Sequence, residues 1–183
     1  MVNYLSDLQP WYQSTIDTLE VRDRKDFTEA MSHVLCCVPF SHLSSTLNEF
    51  VQPIGGKLAS LSSGPLPSDS KARKDLEGSI LDAMDQINTL FSYVTPEIPL
   101  DASTHPCVEF FKGLWPIFHS LYQLYPHGAI PLALNRCLRN LIISYSTFLG
   151  PLLPEICSLI VTVLSSRETF LFYSLQKFSF DTT

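Results

Sequence analysis

The chain has 183 residues, enough for one compact domain or a few units of a repeat array, with 45% hydrophobic and only 16% charged residues. That charge fraction lies below the roughly 25% usual in soluble domains, so the composition excludes a disordered chain and leaves much apolar surface to cover. A net charge of −6 argues against general nucleic-acid binding, which works through clustered basic surface.

Apolar residues recur at spacings of three and four along the chain, the period of helices with a buried face, and no stretch alternates long enough for a strand. The first helix is expected over Tyr4 to Leu19, with Leu5, Leu8, Trp11, Tyr12, Thr15, Ile16 and Leu19 as its stripe. Pro10 falls inside it and bends it or starts it. Glu20 to Lys25 reads as a turn. The second helix, Lys25 to Val38, turns Phe27, Ala30, Met31, Val34, Leu35 and Val38 inward and ends at Pro39. Ser41 is the expected cap of the third, His42 to Leu61, with Leu43, Leu47, Phe50, Val51, Ile54 and Leu58 inward. Pro53, Gly55 and Gly56 bend or weaken it. A loop rich in Ser, Pro and Gly covers 62–70.

The fourth helix is expected over Lys71 to Tyr93, followed by a proline-containing loop at 95–103. Its inward residues are Leu76, Ile80, Ala83, Met84, Ile87, Leu90 and Phe91. Thr104 is the expected N-cap of the fifth, with Pro106 in its first turn and Val108, Phe111, Leu114, Trp115, Phe118, Leu121, Tyr122 and Tyr125 inward. A break near Pro126 to Gly128 leads to the sixth, Ile130 to Phe148, an apolar segment carrying Arg136 and Arg139. Gly150 and Pro151 open another helix to about Leu164, and Arg167 to Phe180 reads as a last, incomplete element.

The fold class that follows is all-α. Helix pairs recur at about 40 to 50 residues, the period of HEAT or armadillo repeats. The expectation is a HEAT-repeat-type α-solenoid segment of stacked antiparallel helix pairs, one partial array of about four pairs over 1–183 with no second domain. A compact helical bundle is the competing architecture.

No catalytic constellation stands out, and the chain is read as a non-enzyme with no cofactor. GxSxG, HExxH and glycine-rich phosphate loops are absent. The five histidines fall on different elements, and neither His33 with Cys36 nor His105 with Cys107 is joined by further ligands at metal spacing. Asp82 and Asp85 read as a solvated helix face. The five cysteines include no CxxC and are expected to be reduced, buried thiols. The first residues lack the pattern of a signal peptide. The most apolar segment, Leu138 to Leu164, is broken by Arg139, Asn140, Gly150, Pro151, Pro154 and Glu155, so no membrane span is expected. A soluble intracellular protein is the resulting expectation.

Arg136 and Arg139 sit at i and i+3 and project to nearly the same side. They either form a basic strip or reach solvent and pair with acids such as Glu109 or Glu155. Guanidinium groups suit phosphate and carboxylate through paired N–H donors.

The run His105-Pro106, then Trp115-Pro116, then Arg136-Cys137-Leu138-Arg139, then Leu153-Pro154 resembles the central region of karyopherin-β proteins. More narrowly it is similar to their transportin-SR and importin-thirteen branch. Upstream, VLCCVPFSHLSSTLNEFVQPIGGKLASL resembles the helix pair that precedes this region there. The resemblance covers most of the chain but a fraction of a family member, so it implies an excised or truncated piece of a longer receptor. It implies stacked HEAT repeats, nucleocytoplasmic shuttling, and Ran-dependent nuclear import of protein cargo such as RNA-binding or SR-type proteins. Ran-GTP would bind through repeats outside this chain, and nucleoporins would be further partners. The arginine helix of the branch receives phosphorylated arginine–serine cargo segments, which implies protein cargo with basic or phosphorylated arginine–serine segments and cargo contact at Arg136 and Arg139, with Asn135 and Asn140 beside them. Ala133 and Ile143 stand where that helix carries further arginines, which leaves arginine–glycine or mixed basic cargo as an alternative class. A HEAT scaffold or adaptor without Ran dependence is the rival function. No direct nucleic-acid contact is expected.

Overall fold

Prolines, caps and polar turns decide where the helices begin and end. The computed structural model describes residues 2–162, with side chains from residue 7. The chain divides into two units, Met1–Phe148 and Leu149–Thr183. The first holds six helices: α1 Val2–Ile16, α2 Val21–Cys36, α3 Phe40–Ser63, α4 Ser70–Tyr93, α5 Pro106–Leu124 and α6 Ala129–Tyr145, closed by a 3-10 turn at Ser146–Phe148. In the second, a 3-10 turn at Gly150–Leu152 runs into helix over 153–162, with Leu152, Ile156 and Leu159 buried. The expected element from Arg167 to Phe180 lies outside the described residues.

Several boundaries differ from the sequence expectation for local reasons. The first turn is Asp17 to Glu20 and α2 starts at Val21, because Arg24 already bonds back to the Glu20 carbonyl. Ser41 lies inside α3, whose N-cap is Pro39. Asp69 caps α4 by accepting the Ala72 N–H at 2.8 Å. His105, not Thr104, caps α5: its Nδ1 accepts the Cys107 N–H at 3.1 Å. Gly128, at φ +101°, makes the reversal into α6 that a side-chain-bearing residue would strain.

The six helices form three antiparallel pairs stacked into two layers. The odd layer is α1, α3, α5 and the even layer α2, α4, α6. Within a layer the helices run parallel, as the matched contacts show. Arg24 meets Asp82 and Cys36 meets the Tyr93 carbonyl, so α2 and α4 ascend together. Arg136 meets Asp85 and Asn140 meets Asn88 and Ser92, so α6 follows. This is the all-α HEAT-type solenoid expected from the sequence.

The core lies between the layers. Leu43, Leu47, Phe50, Val51, Ile54 and Leu58 of α3 are all buried, as their spacing requires. In α2 the buried face is turned from the expected one: Thr28 and Ser32 are buried while Ala30 and Val34 are exposed. The two hydroxyls donate to the carbonyls one turn back, at 2.7 Å each, and so bury at little cost. Helix α4 is flanked on both sides and buries Asp82, Gln86 and Thr89 beside its apolar stripe. Asp82 is therefore not on a solvated face.

Each odd helix contains an internal proline: Pro10, Pro53 and Pro116. A proline deprives the carbonyl four residues earlier of its donor. For Pro53 that carbonyl belongs to Glu49, and α1 supplies the bond instead, Gln13 Nε2 donating at 3.2 Å. Gly55, two residues further on, lets α5 approach: a Cβ there would sit 3.3 Å from Leu114 Cδ2.

Candidate functional site

Helix α6 positions the arginines. Leu134, Cys137, Leu138, Leu141 and Tyr145 are buried and hold the helix to its neighbours. Cys137 lies against the Met84 carbonyl, and burial pushes its thiol up to about 12, so it is an inert packing group. Tyr145 donates to the Val94 carbonyl at 2.8 Å and rests on the His105 ring, centroids 4.4 Å apart.

With 100° of turn per residue, Leu132, Arg136, Arg139 and Ile143 fall within an arc of about 60°, opposite the buried residues. All four are exposed, Leu132 at 59% and Ile143 at 65%. The row is about 16 Å long at 1.5 Å per residue. Arg136 lies 3.5 Å from Asp85 of α4, both side chains about half exposed. Glu109, a sequence candidate for that pairing, pairs with Lys112 at 2.6 Å. Arg139 makes no ion pair with a described residue.

The two asparagines have structural partners. Asn140, half-buried, donates through Nδ2 to Asn88 Oδ1 at 3.0 Å and to Ser92 Oγ at 2.8 Å, tying α6 to α4. Asn135 accepts from the Tyr122 hydroxyl of α5. Of the positions where the sequence lacks arginines, Ala133 is buried and faces the core, whereas Ile143 belongs to the exposed row. An arginine at 133 could not have joined the strip. Sequence reasoning missed Asp85 as the partner of Arg136 and missed Leu132 and Ile143 as surface groups. The helical period of α6 was the signal that places the latter two.

A second polar cluster lies on the other flank of α4. Asp82 accepts from Arg24 at 2.7 Å and has Lys57 at 3.8 Å, and Arg24 also donates to the Leu19 and Asp17 carbonyls. These contacts tie α4 to α2, to α3 and to the turn before α2. His105 is fully buried between Phe40, Tyr145 and Phe148, with Nε2 unpartnered, and burial drives its pKa down to about 4. No group of three or more His, Cys, Asp or Glu among the described residues could hold a metal ion. The five thiols are free, with Cys107 and Cys137 buried, Cys36 half-buried, and Cys37 and Cys157 exposed, so fewer are buried than expected. No helix among the described residues is long and apolar enough to cross a membrane.

No protein-family profile matches the chain, and no curated protein matches it in sequence. Nine solved chains match it in structure. One is Importin13 in its cytosolic state, with a TM-score of 0.70 at 16% identity over 88% of this chain and 18% of that chain. The likeness shows the fold, an importin-type HEAT solenoid, and the chain spans 18% of the length of that receptor.

Proposed function

We propose that the chain is a segment of a karyopherin-β-type nuclear transport receptor, of the transportin-SR and importin-thirteen branch. It would contribute part of the surface that binds protein cargo for Ran-dependent import. The observation that carries the reading is the fold likeness to Importin13 across 88% of the chain. A solenoid of this kind acts by binding: parallel helices of one layer offer successive rows of side chains to an extended or helical partner.

Within the segment the cargo-contacting groups are Arg136 and Arg139. They are the exposed cations of α6, and Asn135 and Asn140 beside them set the helix in place. Ran-GTP and nucleoporins engage repeats elsewhere in the receptor, which shuttles between cytoplasm and nucleus.

The test uses the longest natural chain that contains this sequence. Candidate RNA-binding and SR-type proteins are captured on it with and without Ran-GTP, and nuclear accumulation of the captured protein is followed in permeabilised cells. Release by Ran-GTP and loss of capture in the Arg136→Glu/Arg139→Glu double variant, with helicity retained, are expected. Capture that ignores Ran-GTP would identify a scaffold or adaptor instead, and capture unchanged by the double variant would move the site off α6.

A further inference from the structure

The row on α6 combines charge with apolar ends, and that combination narrows what it binds. Arg136 is shared with Asp85 at 3.5 Å, so among the described residues the row presents little more than one uncompensated positive charge, at Arg139. A phosphoserine run carries close to two charges per phosphate and would meet the Asp85 carboxylate at the same time. A carboxylate brings one charge, matches the planar guanidinium fork, and leaves the Arg136–Asp85 pair in place.

Leu132 and Ile143 bracket the arginines at the two ends of the row, more than half exposed. They lie opposite the buried side of α6, on the arc that also holds both arginines, and so serve neither the contact with α4 nor that with α5. Two aliphatic groups about 16 Å apart with cations between them are the complement of another helix's face: an apolar residue, acidic residues one turn apart, and an apolar residue about three turns from the first.

We infer that the Leu132–Arg136–Arg139–Ile143 row docks a partner protein's amphipathic helix bearing unphosphorylated carboxylates between two aliphatic residues. This rests on the reading of α6 as the partner-binding helix and names the chemistry of what it takes. The carboxylates lie against Arg139 and the outer edge of Arg136, and the aliphatic residues cover Leu132 and Ile143. A phosphorylated arginine–serine segment lacks the apolar ends and carries excess negative charge for this row.

Fluorescence anisotropy with the 183-residue chain tests it. Three labelled peptides are compared: a helical peptide with two leucines about three turns apart and glutamates between them, its lysine-for-glutamate counterpart, and a phosphoserine–arginine repeat. The glutamate peptide is expected to bind at least about tenfold more tightly than either of the others, and Arg139→Glu to abolish the binding. Leu132→Ser and Ile143→Ser should each weaken it by about tenfold, with circular dichroism confirming that each variant keeps its helix content. Asp85→Asn should raise affinity for the phosphoserine peptide by freeing Arg136. A phosphoserine peptide that binds best to the unaltered chain, no binding by any of the three, or indifference to both serine variants would overturn the inference. The measurement involves neither Ran nor nuclei. A phosphopeptide preference therefore sinks this inference alone, and a failure of Ran dependence sinks only the transport reading.

Discussion

Helix α4 carries two aspartates three residues apart, and the two seams it makes treat them in opposite ways. On the α2 side Asp82 is buried, 7% exposed, and bonded to Arg24 at 2.7 Å. On the α6 side Asp85 is half exposed and its arginine stands 3.5 Å away. The α2–α4 seam thus contains its charges, desolvated and matched. The α4–α6 seam is joined by neutral groups, Asn140 with Asn88 and Ser92 and Tyr145 with the Val94 carbonyl, and its charges are left at the surface. A charge drawn into a seam is committed to stability, because removing its partner strands it in low dielectric. A charge left outside costs little to hold and stays available to a partner.

Breaking the charged seam should have the largest effect. Arg24→Met leaves Asp82 with only Lys57 at 3.8 Å and also releases the Leu19 and Asp17 carbonyls. A loss of about 3–5 kcal/mol in urea unfolding is expected. The neutral seam should be vulnerable to acid at His105, on which Tyr145 rests. That histidine falls from its ordinary 6.5 to about 4, so the folded chain keeps it neutral while the unfolded chain takes up a proton. Its contribution is full above pH 6.5, declines as the pH falls towards 4, and is flat below, for roughly 3 kcal/mol in all. His105→Asn keeps an acceptor for the Cys107 N–H. Wild type minus variant should show that slope in denaturation midpoints followed from pH 7 to 4, and parallel curves would contradict it.

Smaller changes sharpen the contrast. Asn140→Ala removes two N–H bonds, leaving Asn88 Oδ1 without that donor and Ser92 Oγ with the bond it gives to the Asn88 carbonyl, which should cost about 1–2 kcal/mol in the same assay. A double-mutant cycle on Arg136 and Asp85 should return a coupling of less than about 1 kcal/mol, shrinking further in high salt. A coupling as large as that of a buried pair would erase the distinction between the two seams.

Much of the fold was legible because helical period and proline placement are local signals. The stripe of α3 from Leu43 to Leu58 is buried residue for residue. Where reading failed, the deciding partner was far along the chain. Asp82 and Asp85 look alike in sequence, and only the stacking of α2 and α6 on either side of α4 separates them. Thr28 and Ser32 entered the core because their own helix satisfies their hydroxyls, which no apolar pattern reveals. His105 displaced Thr104 as the cap because the ring, held by Phe40, Tyr145 and Phe148, reaches the Cys107 N–H. At the candidate site the arginines were visible, but their inequality was not: Arg136 has a carboxylate neighbour, and Arg139 has none among the described residues. The exposure of Leu132 and Ile143 was concealed by the same apolar character that made α6 look buried all round.

The bond that Pro53 denies its own helix is made by the helix before it, Gln13 reaching the Glu49 carbonyl. A defect in one repeat is thereby converted into an address for the one before it. A carbonyl inside an unbroken helix already accepts from its own helix, so it calls for a neighbour's donor less than one left vacant. One vacant carbonyl at a fixed height marks the register that α1 must take on α3. Restoring the missing donor with Pro53→Ala would make α3 more regular and, by the same act, leave the first helix pair less certain where to sit.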